Sequence, residues 1–203
     1  MKVNLTLLIV LVTLTSGFSQ TDRQRADNLY ALGNYSKAIV SYKSIENKEF
    51  VYDKIAKAYV AIGNYGEGLS YYEKAIELKS DDMLLKYDYA KLLKRTKKYS
   101  QAKTIFQDLI KTDSLNPNFH YELGLVLENQ KDSLAINAFN TAHQLDPFHQ
   151  KAIFKIAKRL IMKAKFEDAH KLIDRGLKSY PENVELMSLK AQAYYFQEYY
   201  THS

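Results

Sequence analysis

Cysteine and tryptophan are both absent from the chain. Without cysteine, disulfides, thiolate nucleophiles and thiolate metal sites are excluded together. Seven glycines and three prolines are few for 203 residues; an all-β protein needs a turn about every eight to twelve residues, so helix is favoured from the outset. Catalytic signatures are missing as well: the sequence holds no P-loop, no G-x-S-x-G elbow and no H-E-x-x-H pair. Gly63, Gly66 and Gly68 spell G-x-x-G-x-G, the reverse of the dinucleotide fingerprint, and follow a helical pattern where that fingerprint needs a strand. The five histidines (His120, His143, His149, His170, His202) show no metal-ligand spacing. The chain is therefore expected to be no enzyme and to bind no cofactor or metal. No linker or shift of composition marks a second domain.

The first twenty residues differ from the rest. Lys2, an apolar run from Leu5 to Leu14 and the small-x-small triplet Gly17-Phe18-Ser19 make up a secretory signal peptide over residues 1–19. Its apolar core is too short to cross about 30 Å of hydrocarbon at about 1.5 Å per residue. An exported product, periplasmic or extracellular after cleavage, is the expectation. Nothing later in the sequence is apolar enough to span a bilayer.

What the chain does contain is a repeated helical hairpin. From Gly63 to Asp82, a Gly-Asn turn is followed by Tyr65, Leu69, Tyr72, Ala75 and Ile76 at helical spacing. The preceding stretch carries a matching stripe of Tyr52, Ile55, Ala56, Tyr59 and Ile62, so the two helices should pack antiparallel across the turn. Small residues at Ala38, Gly68, Ala102, Ala135 and Ala169 recur at intervals of 30, 34, 33 and 34. Tyr42, Tyr72, Phe106, Phe139 and Ile173 lie four positions further on. Each first helix pairs a small residue (Ala26, Ala56, Ala90, Gly124, Ala157, Ala191) with a large one three places later (Leu29, Tyr59, Leu93, Leu127, Leu160, Tyr194). Small residues let helix axes approach and large ones fill the adjoining groove. A period near 34 is that of a solenoid.

This pattern resembles the tetratricopeptide repeat (TPR) family, whose signature places a small residue at position 8, a large one at 11, Ala at 20, an aromatic at 24 and Pro at 32. Pro147 and Pro181 fall at the position-32 equivalent, while Ser80 and Ser114 replace it elsewhere. The resemblance implies an all-α, right-handed α-solenoid of antiparallel helix pairs over residues 20–203. Its repeats fall at about 20–48, 49–82, 83–116, 117–149 and 150–183, with a partial one at 184–203. The first repeat is four residues short around Glu46 to Lys48, and the fourth lacks one near Lys131 to Ser133. Gly68 and Gly176 stand where alanine is usual, at about 1 kcal/mol each in helix propensity, and are expected to be soft points. The last helix has no second helix after it, which leaves Leu186, Met187, Leu189, Ala193, Tyr194, Phe196 and Tyr199 with reduced cover. It either caps the fifth repeat or docks a partner or second copy, making a dimer through this helix an open alternative.

In TPR proteins the first helices line a concave groove. The resemblance places Tyr30, Asp53, Lys57, Tyr87, Lys91, Lys94, Tyr121, Leu125, Phe154, Lys158, Ile161, Tyr195 and Phe196 on that face. Aromatics offer contact area and lysines long-range attraction, which together suit an extended acidic-aromatic or acidic-apolar segment of a partner protein. Asp27 and Lys57 stand where the family's carboxylate clamp has asparagines, so that activity is not expected. Basic residues crowd two places, Lys86, Lys91, Lys94, Arg95, Lys97 and Lys98, then Lys151, Lys155, Lys158, Arg159, Lys163 and Lys165. Export removes nucleic acid as the natural partner of such patches. The alternative to peptide binding is an envelope-associated binder of anionic glycan or lipid through these clusters. Asn34-Tyr35-Ser36, Asp113-Ser114-Leu115 and Asp132-Ser133-Leu134 match glycosylation acceptors, but each reads first as turn and capping chemistry.

Overall fold

The computed structural model describes residues 22–201; the signal peptide expected at residues 1–19 lies outside them. Among the described residues there are helices and turns and no strand. The chain divides into two compact units, residues 1–96 and 97–203. The division falls inside the third repeat, at a point that composition does not mark.

Unit 1 holds α1 (residues 22–31), α2 (Tyr35–Ser44), α3 (Tyr52–Ala61), α4 (Tyr65–Leu78) and α5 (Met83–Arg95), with a 3-10 turn at Lys48–Phe50. The shortness of the first repeat resides in α2, which has 10 residues where α4 has 14. Ala26, Ala38, Tyr42, Val51, Ile55 and Ala58 form the core between α1, α2 and α3. The Tyr42 hydroxyl, buried in that core, donates to Asp27 Oδ1 at 2.6 Å. Lys54 Nζ donates to the other oxygen of Asp27 at 2.7 Å, so one carboxylate staples three helices. Asp27, at a clamp position of the groove, is thereby consumed internally. Helix starts are capped from the sequence: Asn64 Oδ1 accepts the Glu67 N–H at 3.3 Å and Asp82 Oδ1 the Leu85 N–H at 3.0 Å.

Unit 2 holds α6 (Tyr99–Thr112), α7 (Pro117–Asn129), α8 (Ala135–Leu145), α9 (Gln150–Met162), α10 (Phe166–Ser179) and α11 (Val184–Thr201). Pro117 opens α7, where its missing N–H costs nothing, and Asn116 caps it. Asp113 and Asp132 each accept the N–H two residues on, from Leu115 at 3.1 Å and Leu134 at 2.9 Å, the turn chemistry anticipated for both Asp-Ser-Leu triplets.

Every hairpin turns through a residue of positive φ: Gly33 (76°), Gly63 (79°), Lys97 (63°), Lys131 (57°) and Ala164 (54°). At Gly33, Gly63, Lys131 and Ala164 the next N–H reaches back five residues, as in Asn64 to Tyr59 at 2.9 Å and Lys165 to Leu160 at 2.9 Å, which is the Schellman closure of the preceding helix. The αL residue precedes the small core residue by five positions in the other pairs and by four between Lys131 and Ala135, which locates the residue the fourth repeat lacks.

The glycines inside helices are close-approach points, which corrects the expectation of soft spots. A Cβ on Gly68 would lie 2.9 Å from Val60 Cγ2, and one on Gly176 would lie 2.7 Å from Leu186 Cδ1. Gly124 is tightest, with the Phe139 ring 2.6 Å from where its Cβ would be. α11 is likewise better covered than its sequence implies. Leu186, Leu189 and Ala193 are buried in the cluster built by α9 and α10, whereas Met187, Tyr194, Phe196 and Tyr199 stay 41–63% exposed.

Candidate functional site

The first-helix register decides which side chains meet. Asp53, Tyr87, Tyr121 and Phe154 share one register position, and Lys57, Lys91, Leu125 and Lys158 share another four residues on. In unit 1 this stacks Lys57 of α3 beside Lys91 of α5. Between them opens a cavity of about 1000 Å³, with Tyr30, Tyr65 and Tyr72 in its lining. Four cations (Lys57, Lys91, Lys94, Arg95) face it against one carboxylate, Asp88. Lys57 Nζ pairs with Asp88 at 3.3 Å, so the cavity carries a formal surplus of three positive charges.

Aromatic rings hold two of these cations in place. The Arg95 guanidinium lies 4.5 Å from the Tyr65 ring centroid, and Lys91 Nζ lies 5.0 Å from that of Tyr87. Tyr30 meets Tyr35 edge to face at 5.1 Å. Tyr72 is only 3% exposed; burial pushes its hydroxyl up, and the nearby Asp88 and Asp53 push it further, so it remains a proton donor. Such a site offers the half-buried Tyr30 and Tyr65 rings as contact surface and ammonium and guanidinium groups to acidic side chains.

Of the groove residues expected from the sequence, Tyr30, Lys57, Lys91 and Lys94 line this cavity together. Asp53 and Tyr87 are half-buried in α3 and α5 and are not part of the lining. In unit 2 two of the expected residues, Tyr121 and Ile161, have gone inward. Tyr121 is buried, 5.7 Å from the Phe139 ring and 5.1 Å from that of His149. Ile161 is buried against α10, and Leu125 and Phe154 are half-buried on the two core clusters. Lys158, Tyr195 and Phe196 are exposed. A cavity of about 390 Å³ in unit 2 is lined by Lys155, Arg159, Glu128 and Phe139 among others, and by none of the expected groove residues. For Tyr121 the cause is Gly124: its missing side chain admits the Phe139 ring, and Tyr121 packs on that ring.

Sequence reasoning missed Tyr65, Tyr72, Asp88 and Arg95. Tyr65 and Tyr72 are legible only as the apolar stripe of a second helix, although one edge of each reaches the cavity. Arg95 belongs to the first basic cluster, and its register one turn after Lys91 was the available signal. Of the second cluster, Lys155 is engaged by Glu128. Among the described residues no group of three or more His, Asp or Glu could hold a metal, and no helix is long and apolar enough to cross a membrane.

Stacked antiparallel helix pairs with small-large seams, a turn closed each time in αL, and a cavity on the first-helix side define an all-α repeat scaffold. Residues 51–137 match the family model described as Tetratricopeptide repeat protein 21 forth ARM domain. MamA (residues 41 to the end) from Desulfovibrio magneticus RS-1 is similar at a TM-score of 0.71 and 16% identity, over 82% of this chain and 97% of that one. A tetratricopeptide repeat protein from Parabacteroides merdae ATCC 43184 is similar at a TM-score of 0.74 and 14% identity, over 89% of this chain and 73% of that one. YrrB, described as a TPR protein with an unusual peptide-binding site, is similar at a TM-score of 0.63 and 18% identity, over 84% and 90%. No curated protein sequence matches significantly. The fold is that of the tetratricopeptide-repeat solenoids.

Proposed function

We propose that the chain is a non-catalytic protein-interaction scaffold that takes an extended or helical segment of a partner protein on its first-helix face, with the unit 1 cavity as anchor. The observation that carries this is the convergence of Tyr30, Tyr65, Lys57, Lys91, Lys94 and Arg95 on one cavity with a single, already paired carboxylate. Its chemistry selects an acidic-aromatic or acidic-apolar segment: rings stack on rings, and carboxylates meet the surplus cations. YrrB shares the fold and is described as binding peptide, which supports the reading. The apolar run from Leu5 to Leu14, followed by the small-x-small triplet ending at Ser19, supports an exported protein working in the cell envelope; N-terminal sequencing of the secreted product should begin at Gln20.

The test is fluorescence anisotropy with a labelled peptide of alternating Glu and Phe, against a control peptide with Lys in place of Glu. The acidic peptide should bind and the basic one should not, and Tyr65→Ala should weaken binding at moderate salt. Binding that vanishes when the Debye length is shortened from about 10 Å to about 3 Å, with no effect of Tyr65→Ala, would instead favour anionic glycan or lipid capture through the basic clusters.

A further inference from the structure

α11 carries two apolar seams on opposite sides. Leu186, Leu189 and Ala193 form the seam buried against α9 and α10. Met187, Ala191 and Tyr195 form the other, and Tyr194 beside them keeps one side against the His170 ring of α10, 4.0 Å between centroids. These four are the 34-residue image of Ile153, Ala157, Ile161 and Leu160 on α9. On α9 that seam is covered by Phe166, Ala169 and Ile173 of α10. On α11 it is open: Met187 is 43%, Tyr194 55% and Tyr195 68% exposed.

We infer that this open seam docks an amphipathic helix from a partner protein, one that carries the seam chemistry of α10. That chemistry is a bulky apolar residue, a small one, a β-branched or aromatic one and a small one at spacings of 3, 4 and 3, as in Phe166, Ala169, Ile173 and Gly176. Register supplies the first argument, because the interface continues one already built between α9 and α10. Close approach supplies the second: a Cβ on Gly176 would come within 3.2 Å of Ile153 Cδ1, so the helix lying over the equivalent Met187 needs a small residue there too. Composition supplies the third. From Val184 to Tyr195 the open seam (Val184, Met187, Ser188, Ala191, Tyr194, Tyr195) holds no charge, which selects an apolar stripe and not the acidic segment proposed for unit 1. A second copy does not meet these terms. Its α10 seam is already buried on its own α9, and its α11 would set tyrosines against tyrosines, too bulky for axes to close to about 8–10 Å.

The probe is a synthetic peptide of the α10 sequence, residues 166–179, held helical by a lactam between its Glu167 and Lys171 positions, which already pair at 2.6 Å in the chain. Titrated by anisotropy into the full chain, it should bind one to one. Ala191→Arg, an exposed change that leaves the circular dichroism of the chain intact, should weaken it at least tenfold. Val40→Arg, at a 70% exposed site in unit 1, and Lys91→Glu should each change it less than twofold, which separates this site from the cavity. A peptide with Arg at its Ala169 position should fail to bind. The inference is overturned by absence of binding, by equal weakening in Ala191→Arg and Val40→Arg, or by light scattering that shows a dimer dissolved by Ala191→Arg.

Discussion

Unit 1 and unit 2 are written in the same repeat but spend its first-helix positions differently. In unit 1, Lys57 and Lys91 stay at the surface with Asp53 and Tyr87 half-buried beside them, and a large cavity opens between α3 and α5. In unit 2, Leu125 stands at the lysine position of α7 and is half-buried, and Tyr121 turns into the core. At Tyr121 the difference comes from the missing side chain at Gly124 and from the aromatic ring that occupies its place. A repeat position therefore fixes which way a side chain starts out from its helix; neighbouring volume decides whether it ends in a groove or in a core.

The largest effect should come from glycines with unlike surroundings. Gly124→Ala forces a buried ring to move and should destabilise the chain by about 1–3 kcal/mol in urea denaturation. Gly66→Ala in α4 meets nothing nearer than Asn64 Oδ1 at 4.0 Å, and should stabilise by about 1 kcal/mol through helix propensity. Equal and small effects of both would show that the Phe139 packing does not distinguish the units.

Turns offer a contrast of opposite sign. Gly63→Ala should cost about 1–2 kcal/mol, because a side chain is strained at its φ of 79°. Lys131→Gly and Ala164→Gly relieve the same strain at 57° and 54°, and each should raise the midpoint of denaturation by an amount worth about 1 kcal/mol. A loss of stability in both would mean that the side chains of Lys131 and Ala164 outweigh their backbone.

The smallest effect is a pH dependence that separates the units. His149 caps α9 by accepting the Ala152 N–H on Nδ1 at 3.1 Å, which requires a neutral ring. Burial holds its pKa below the ordinary 6.5, helped by Lys151 and opposed by Asp146 and Glu122. Its contribution is complete above pH 6.5 and declines as pH falls through 6.5 toward the folded value. In unit 1, burial alone would raise Asp27, but hydrogen bonds from Lys54 and Tyr42 outweigh it and the carboxyl ends below its ordinary 3.8. That contribution persists until pH falls below 3.8. Hydrogen exchange between pH 7.5 and 5 should therefore show weakened protection at the start of α9 and none in α1 to α3, and His149→Asn should abolish the dependence.

Most of the helical pattern was legible because small and large residues recur at a fixed interval: Ala56 with Tyr59, and Ala157 with Leu160, identify the packed face without any coordinates. Turns were half legible. Gly33 and Gly63 announce positive φ, whereas Lys97, Lys131 and Ala164 adopt it with no compositional sign, since the hairpin closure imposes it from outside. Of the unit 1 cavity lining, Tyr30, Lys57, Lys91 and Lys94 could be read from register, while in unit 2 Tyr121 and Ile161 could not be told from core partners. Their fate depends on Phe139 and α10, contacts distant in sequence. Gly68 and Gly176 look like weak helix formers until the side chains that crowd them, Val60 and Leu186, are in view. The division at residues 96 and 97 left no trace in composition.

The comparison of the two units is tested most directly by charge reversal at one register position. Lys91→Glu and Lys158→Glu remove equivalent lysines, one at the unit 1 cavity and one on the exposed face of α9. Titrated with the alternating Glu-Phe peptide, Lys91→Glu should lose at least tenfold in affinity, about 1.4 kcal/mol, while Lys158→Glu loses less than twofold. Equal losses, or a larger loss at Lys158, would contradict the assignment of the binding surface to unit 1.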